Sequence, residues 1–123
     1  MKSGELGKTF KDGEVIIKQG ESGNCMYVIQ SGEVEILRDK DGIDIQIAIR
    51  KASDFFGEMA LFSREMRSAT VRALGEVRVL TIDKKNLLKS VQKDPSLAFR
   101  IIETLSKRIR DLSEEITPLK TNK

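Results

Sequence analysis

Apolar and polar positions alternate in short bursts over the first two thirds of the chain, each burst bounded by glycine. Gly13 precedes Val15-Ile16-Ile17, and Gly20-Glu21-Ser22-Gly23 is a loop of turn formers. Residues 25–29 and 34–37 are apolar runs parted by Gln30-Ser31-Gly32, which predicts a turn between two strands. Asp39-Lys40-Asp41-Gly42 is the strongest hairpin signal, because Asp-Gly suits a turn with positive φ. After it Ile43, Ile45, Ile47 and Ile49 alternate with Asp44, Gln46, Ala48 and Arg50, a period of two that predicts a strand with one face in the core. Residues 69–73 and 77–82 supply two more strands around Gly75. Strands this short and evenly spaced predict a sandwich or barrel.

The period then changes. Asp83 is a good N-cap for a helix over 84–91. Asp94 as N-cap and Pro95 at the first helical position open a longer helix to about residue 116, before Pro118. Along it Ala98, Ile102, Leu105, Ile109, Leu112 and Ile116 form an a/d stripe of about two and a half heptads. The pattern predicts one domain over residues 1–123, mainly β with C-terminal helices (α+β): a β-barrel over about 8–82 and helices over about 84–117.

Composition narrows the chemistry. At 123 residues the chain is long enough for one hydrophobic core, and 39% apolar with 33% charged residues describes a highly charged globular surface. A net charge of +3, from 22 basic and 19 acidic side chains well interspersed, does not argue for nucleic acid. No apolar run approaches the ~20 residues of a membrane span, and Met1-Lys2-Ser3-Gly4 leads into no secretory signal. The single Cys25 suits a reducing compartment, so a cytoplasmic location is expected. The chain has no histidine, which argues against zinc and haem sites and against serine or cysteine triads. No enzyme, catalytic residue, metal or resident cofactor is expected.

The most informative stretch is 56–71. Gly57-Glu58 opens a one-turn apolar segment, Arg67 follows a short polar loop, and Ser68-Ala69-Thr70-Val71 leads into a strand. The first amides of a short helix lack intrahelical acceptors and can hold an anion. Arg67 adds a planar fork of donors suited to a phosphate. Glu58 is better placed to accept from a sugar hydroxyl, with Arg67 balancing part of its charge. Together these residues predict a site for a phosphorylated sugar. An ordinary surface ion pair between Glu58 and Arg67, worth ~0–1 kcal/mol, is the plainer alternative.

Phe56-Gly57-Glu58-Met59-Ala60-Leu61 with Arg67-Ser68-Ala69-Thr70-Val71 resembles the phosphate-binding cassette of the cyclic-nucleotide-binding domain family. That family includes the catabolite activator protein, regulatory subunits of cAMP-dependent protein kinase and cyclic-nucleotide-gated channels. Residues 10–20 and 26–32 resemble its first strands. The resemblance implies an eight-stranded jelly-roll β-barrel, a cassette helix and two C-terminal helices that lid the pocket. It places Glu58 on the ribose 2′-hydroxyl, Arg67 on the cyclic phosphate, and Gly57, Met59, Ala60, Ser68 and Ala69 beside them. Ile17, Ile36 and Ile47 are inward-facing candidates for the apolar wall by the purine, and Arg108, Ile109 and Leu112 for approach to the base. For all six, packing in the core or at a helix seam is the plainer reading. Ser53 stands where the family usually has glycine, which bears on that turn, and Met66 where some members have proline.

The resemblance implies a regulatory sensor for cAMP, with cGMP second because Ser68 leaves the base open, and a ligand-driven repositioning of the C-terminal helices. The a/d stripe offers a homodimer seam. No helix-turn-helix is recognised, and Lys107, Arg108 and Arg110 read as a solvated helix face, so neither direct nucleic-acid binding nor a membrane is expected. Output is expected to pass through a dimer or an effector protein whose identity the residues do not reveal. Two alternatives stand: a degenerate domain of the same fold acting as a protein-interaction module, and the effector half of a transcription regulator.

Overall fold

The computed structural model describes residues 7–62 and 66–116. The strands are β1 (Gly7–Phe10), β2 (Val15–Ile17), β3 (Cys25–Lys40), β4 (Ile43–Lys51), β5 (Phe55–Phe56) and β6 (Thr70–Asp83). A one-turn helix, α1 (Met59–Phe62), lies between β5 and β6, and α2 (Lys84–Lys93) and α3 (Ser96–Ile116) follow. All pairings are antiparallel, in the order β1-β6-β3-β4, with β2 also on β6 and β5 also on β3. The chain divides into two compact units, Met1–Lys85 and Asn86–Lys123.

Among the described residues six strands stand where eight were expected, and their sheet is not closed. The difference lies at Gly32 and Gly75. Both have left-handed φ, +88° and +71°, yet neither ends a strand: β3 and β6 run through them. At Gly32 the β3–β6 register shifts on either side of Ser31. A Cβ there would come 2.9 Å from Cα of Val77, so the bend depends on a missing side chain. Each long strand therefore has two halves with different neighbours. The first half of β3 meets β5 and its second half meets β4; the two ends of β6 meet β2 and β1. The core draws on all four halves: Ile29 and Val34 from β3, Val71, Ala73, Val77 and Val79 from β6, with Phe10, Ile17 and Phe56.

The hairpin at Asp41-Gly42 forms as expected, with φ of +56° and +84°. The face assignment of the following strand does not hold. A register shift between Ile36 and Leu37 pairs Ile36 with Ala48 but Leu37 with Gln46, leaving Ile47 between them. Directly opposed residues share a face, so Ile45 falls on the Ile36 side of the sheet while Ile49 falls on the Glu35 side. All four isoleucines of β4 remain 43–66% exposed instead of entering the core. Ser53, in the turn before β5, takes φ +78° and donates its amide to the Ile29 carbonyl at 2.9 Å, so the turn keeps a glycine-like geometry.

In the second unit, Asp94 caps α3 through its Oδ1, which accepts from the Ser96 amide (3.2 Å) and hydroxyl (2.6 Å). Those bonds hold its carboxyl below the ordinary carboxylate range. Phe99, Ile102 and Ile109 are exposed along α3, while Ala98 and Leu105 are half-buried. No described helix is long and apolar enough to cross a membrane.

Candidate functional site

β5 pairs Phe56 with Tyr27 and Phe55 with Val28, which anchors the start of the cassette to β3. Gly57 then turns the chain at φ +79° into α1. Ala60 and Leu61 are buried, Glu58 is half-buried and Met59 is exposed. The Ala60 amide donates to the Gly57 carbonyl at 3.3 Å and the Leu61 amide to the Glu58 carbonyl at 3.0 Å. These two amides close the turn on itself, so they differ from the open anion-binding donors expected at the start of the segment.

Arg67 is held at both ends. Its backbone amide donates to the Glu21 carbonyl at 2.8 Å, and its carbonyl accepts from the Gly20 amide at 2.9 Å. Its guanidinium donates from Nη1 to the Gly57 carbonyl and from Nη2 to the Cys25 carbonyl, each at 2.9 Å. The expected sharing of charge between Arg67 and Glu58 is not found. Among the described residues the ion pairs are Arg72–Glu35 and Arg50–Asp54, and no carboxylate pairs with Arg67. A half-buried guanidinium thus rests on neutral carbonyl oxygens. Two of its five N–H donors are committed to carbonyls.

Gly57, Arg67 and Ile17 come together. A Cβ on Gly57 would lie 2.8 Å from Nη1 of Arg67 and 3.0 Å from Cδ1 of Ile17. Ser68 is exposed and Ala69 half-buried, next along the chain from Arg67. Ile17 is buried in the core and Ile36 packs against it. Ile47, expected to face inward with them, sits in the register shift of β4 and is 48% exposed. Arg108 is half-buried and Ile109 exposed on α3, in the second unit. Leu112 lies on α3, but its side chain is outside the described residues.

Three features were not anticipated. Tyr27 stacks on Phe56 with ring centroids 5.1 Å apart. Burial pushes its phenol up to about 12, with the Cys25 thiol adding to the rise and the Arg67 guanidinium opposing it. Second, Glu35 of β3, buried at 9% exposure, takes Nε2 of Gln46 from β4 and Nε of Arg72 from β6, each at 2.9 Å. The bond from Gln46, then that from Arg72, holds its carboxyl below the ordinary range. Third, an open cavity of about 400 Å³ borders Ser22, Gly23, Asn24, Ala60, Leu61 and Lys84. It adjoins the cassette without including Arg67 or Ile17. Only the cross-strand position of Glu35 and Arg72 carried a signal in the sequence, as opposite charges on neighbouring strands. Among the described residues no cluster of side chains could hold a metal ion.

A family model described as cyclic nucleotide-binding domain matches residues 7–94. The chain is 38% identical over 76 residues to a cAMP-dependent protein kinase regulatory subunit of Mucor circinelloides f. lusitanicus, covering 62% of this chain and 18% of that protein. The structure superposes on the catabolite activator protein of Thermus thermophilus with a TM-score of 0.81 at 26% identity, over 92% of this chain and 54% of that one. It also resembles an EAL enzyme solved in cGMP-bound and cAMP-bound forms, with TM-scores of 0.65 and 0.64 at 32% identity. Those matches cover 89% and 90% of this chain and 29% and 30% of the enzyme.

Proposed function

The chain belongs to the cyclic nucleotide-binding domain family, and from that premise we propose that it is a single regulatory domain, not an enzyme, whose ligand is cAMP or cGMP. The observation that carries the reading is Arg67: a half-buried cation, positioned by two backbone carbonyls and paired with no carboxylate among the described residues. A buried charge is costly unless it is matched, and a cyclic phosphate would match it. In this proposal Arg67 binds the phosphate and Glu58 the ribose 2′-hydroxyl. Gly57, Met59, Ala60, Ser68 and Ala69 line the sugar-phosphate. Ile17, Ile36 and, from the open edge strand, Ile47 supply apolar surface for the purine. The base-side roles of Arg108, Ile109 and Leu112 belong to the same proposal and rest on the sequence resemblance alone.

The kinase subunit's name favours cAMP, while the EAL enzyme accommodates both nucleotides. We take cAMP as the first candidate. The four halves of β3 and β6, counted with the other four strands, would give the jelly roll of the family. Nucleotide binding would draw α1 toward the ligand and shift the helices after β6, driven only by the ligand's differential affinity for the two arrangements. The exposed Ile102 and Ile109 on α3 make that helix the proposed homodimer seam or effector surface. Calorimetric titration with cAMP and with cGMP tests the assignment. Wild type should bind at least one, and Arg67→Ala should bind it roughly 10- to 150-fold more weakly, the loss expected for a charge-assisted contact. Absence of binding by wild type, or equal binding by the variant, would reject it.

A further inference from the structure

We propose that Gly23 is a positioning residue for the phosphate contact, acting through Arg67 and touching no ligand itself. The inference rests on the reading of Arg67 as the phosphate ligand. Gly23 is not among the residues with left-handed φ, so its backbone imposes no need for glycine. The need is steric. A Cβ on Gly23 would lie 2.5 Å from Cζ of Arg67, with Nε and Nη2 nearer still. The guanidinium therefore lies directly against the Gly23 backbone, and its far edge meets Gly57.

The surrounding bonds show why this packing matters. The loop that carries Gly23 also binds the Arg67 backbone, through Gly20 and Glu21, and Cys25, the first residue of β3 just after it, receives Nη2 at its carbonyl. One segment thus fixes where the arginine starts, where its head ends and how closely that head can approach. Because the guanidinium is the tip of a flexible side chain, a methyl group at position 23 would be relieved by moving that tip. The fold would yield cheaply. The fork would leave both carbonyls, and the charge would lose its fixed direction. Gly57 presses on the same group but also needs its φ of +79°, so a substitution there would mix two effects. Gly23 isolates one.

The test is a double-mutant cycle read by calorimetry with cAMP and cGMP, using wild type, Gly23→Ala, Arg67→Ala and the double variant. Gly23→Ala should weaken both nucleotides by roughly 10- to 150-fold, because the displaced contact is to the phosphate they share. In the Arg67→Ala background the same substitution should change affinity by less than about twofold, since coupled residues are not additive. The unliganded Gly23→Ala protein should melt with wild type. Wild-type affinity in Gly23→Ala would overturn the positioning role and leave the ligand reading standing. An equal loss in both backgrounds would also overturn it, as a general disturbance of the loop. Failure of wild type to bind either nucleotide would overturn both proposals.

Discussion

Arg67 and Arg72 flank the start of β6, yet one guanidinium rests on the neutral carbonyls of Gly57 and Cys25 while the other meets the Glu35 carboxylate at 2.9 Å. Around Arg72 the charge is answered within the protein, and Gln46 completes a bridge across three strands. That cluster is a finished piece of architecture. Around Arg67 the hydrogen bonds fix position without cancelling charge. The same side chain type serves as a fastener in one place and as an unspent attraction in the other, and what decides is whether its partners are charged.

The largest effects should come from removing each arginine in turn. Arg67→Ala should lower nucleotide affinity as above with a smaller change in melting. Arg72→Ala should do the reverse, costing about 1.5–3 kcal/mol in urea unfolding because Glu35 is left buried without its cation, and changing affinity little. Equal effects of both variants on both readouts would dissolve the distinction.

A pH experiment sharpens the Arg72 side. The Glu35 carboxyl is lowered in the folded state, so its stabilisation is present above the ordinary carboxylate value of about 4.3 and fades as pH falls through the lower folded value. Glu35→Gln should therefore flatten the acid limb of stability below about pH 4.5. An unchanged acid limb would mean the bridge is not ionised as described.

The corresponding probe near Arg67 is Tyr27, the one tyrosine of a chain without tryptophan. Its folded phenol, raised to about 12 from an ordinary 10.0, favours the neutral form. Stability should be complete below about pH 10 and decline as pH rises toward 12. Tyrosinate absorbance should titrate near 12 in the native protein and near 10 in denaturant. Coincident titrations would show that the stack on Phe56 leaves the ring open to water. The smallest effect belongs to Ser53, distant from both arginines in role. Ser53→Gly should raise stability by roughly 0.5–1 kcal/mol by relieving the left-handed φ, with no change in affinity. A destabilised variant would show that the turn is not strained.

How legible the molecule was in its letters depends on the range of the interaction. The Asp41-Gly42 turn, the Asp94 cap and the 59–62 turn are local and were readable. Gly32 and Gly75 were misread because a left-handed glycine looks the same whether a strand ends or bends; the difference is set by β6 crossing β3. The face of β4 was misassigned because nothing in its alternation reveals a register shift against a neighbour. The cassette spelled out Arg67, but not its holders, since Glu21 and Cys25 lie far from it in sequence and meet it only through the tertiary fold. The resemblance supplied a family, and the structure supplied the mechanics.

The clamp on Arg67 also bears on how far its motif can travel. The letters from Phe56 to Val71 hold the arginine and the Gly57 carbonyl, while Gly20, Glu21 and Gly23 come from the loop before β3 and Cys25 from its first position, all outside that stretch. Transplanted onto another scaffold, the cassette alone would arrive as an arginine on a swinging stem. A graft would have to carry the loop as its second half.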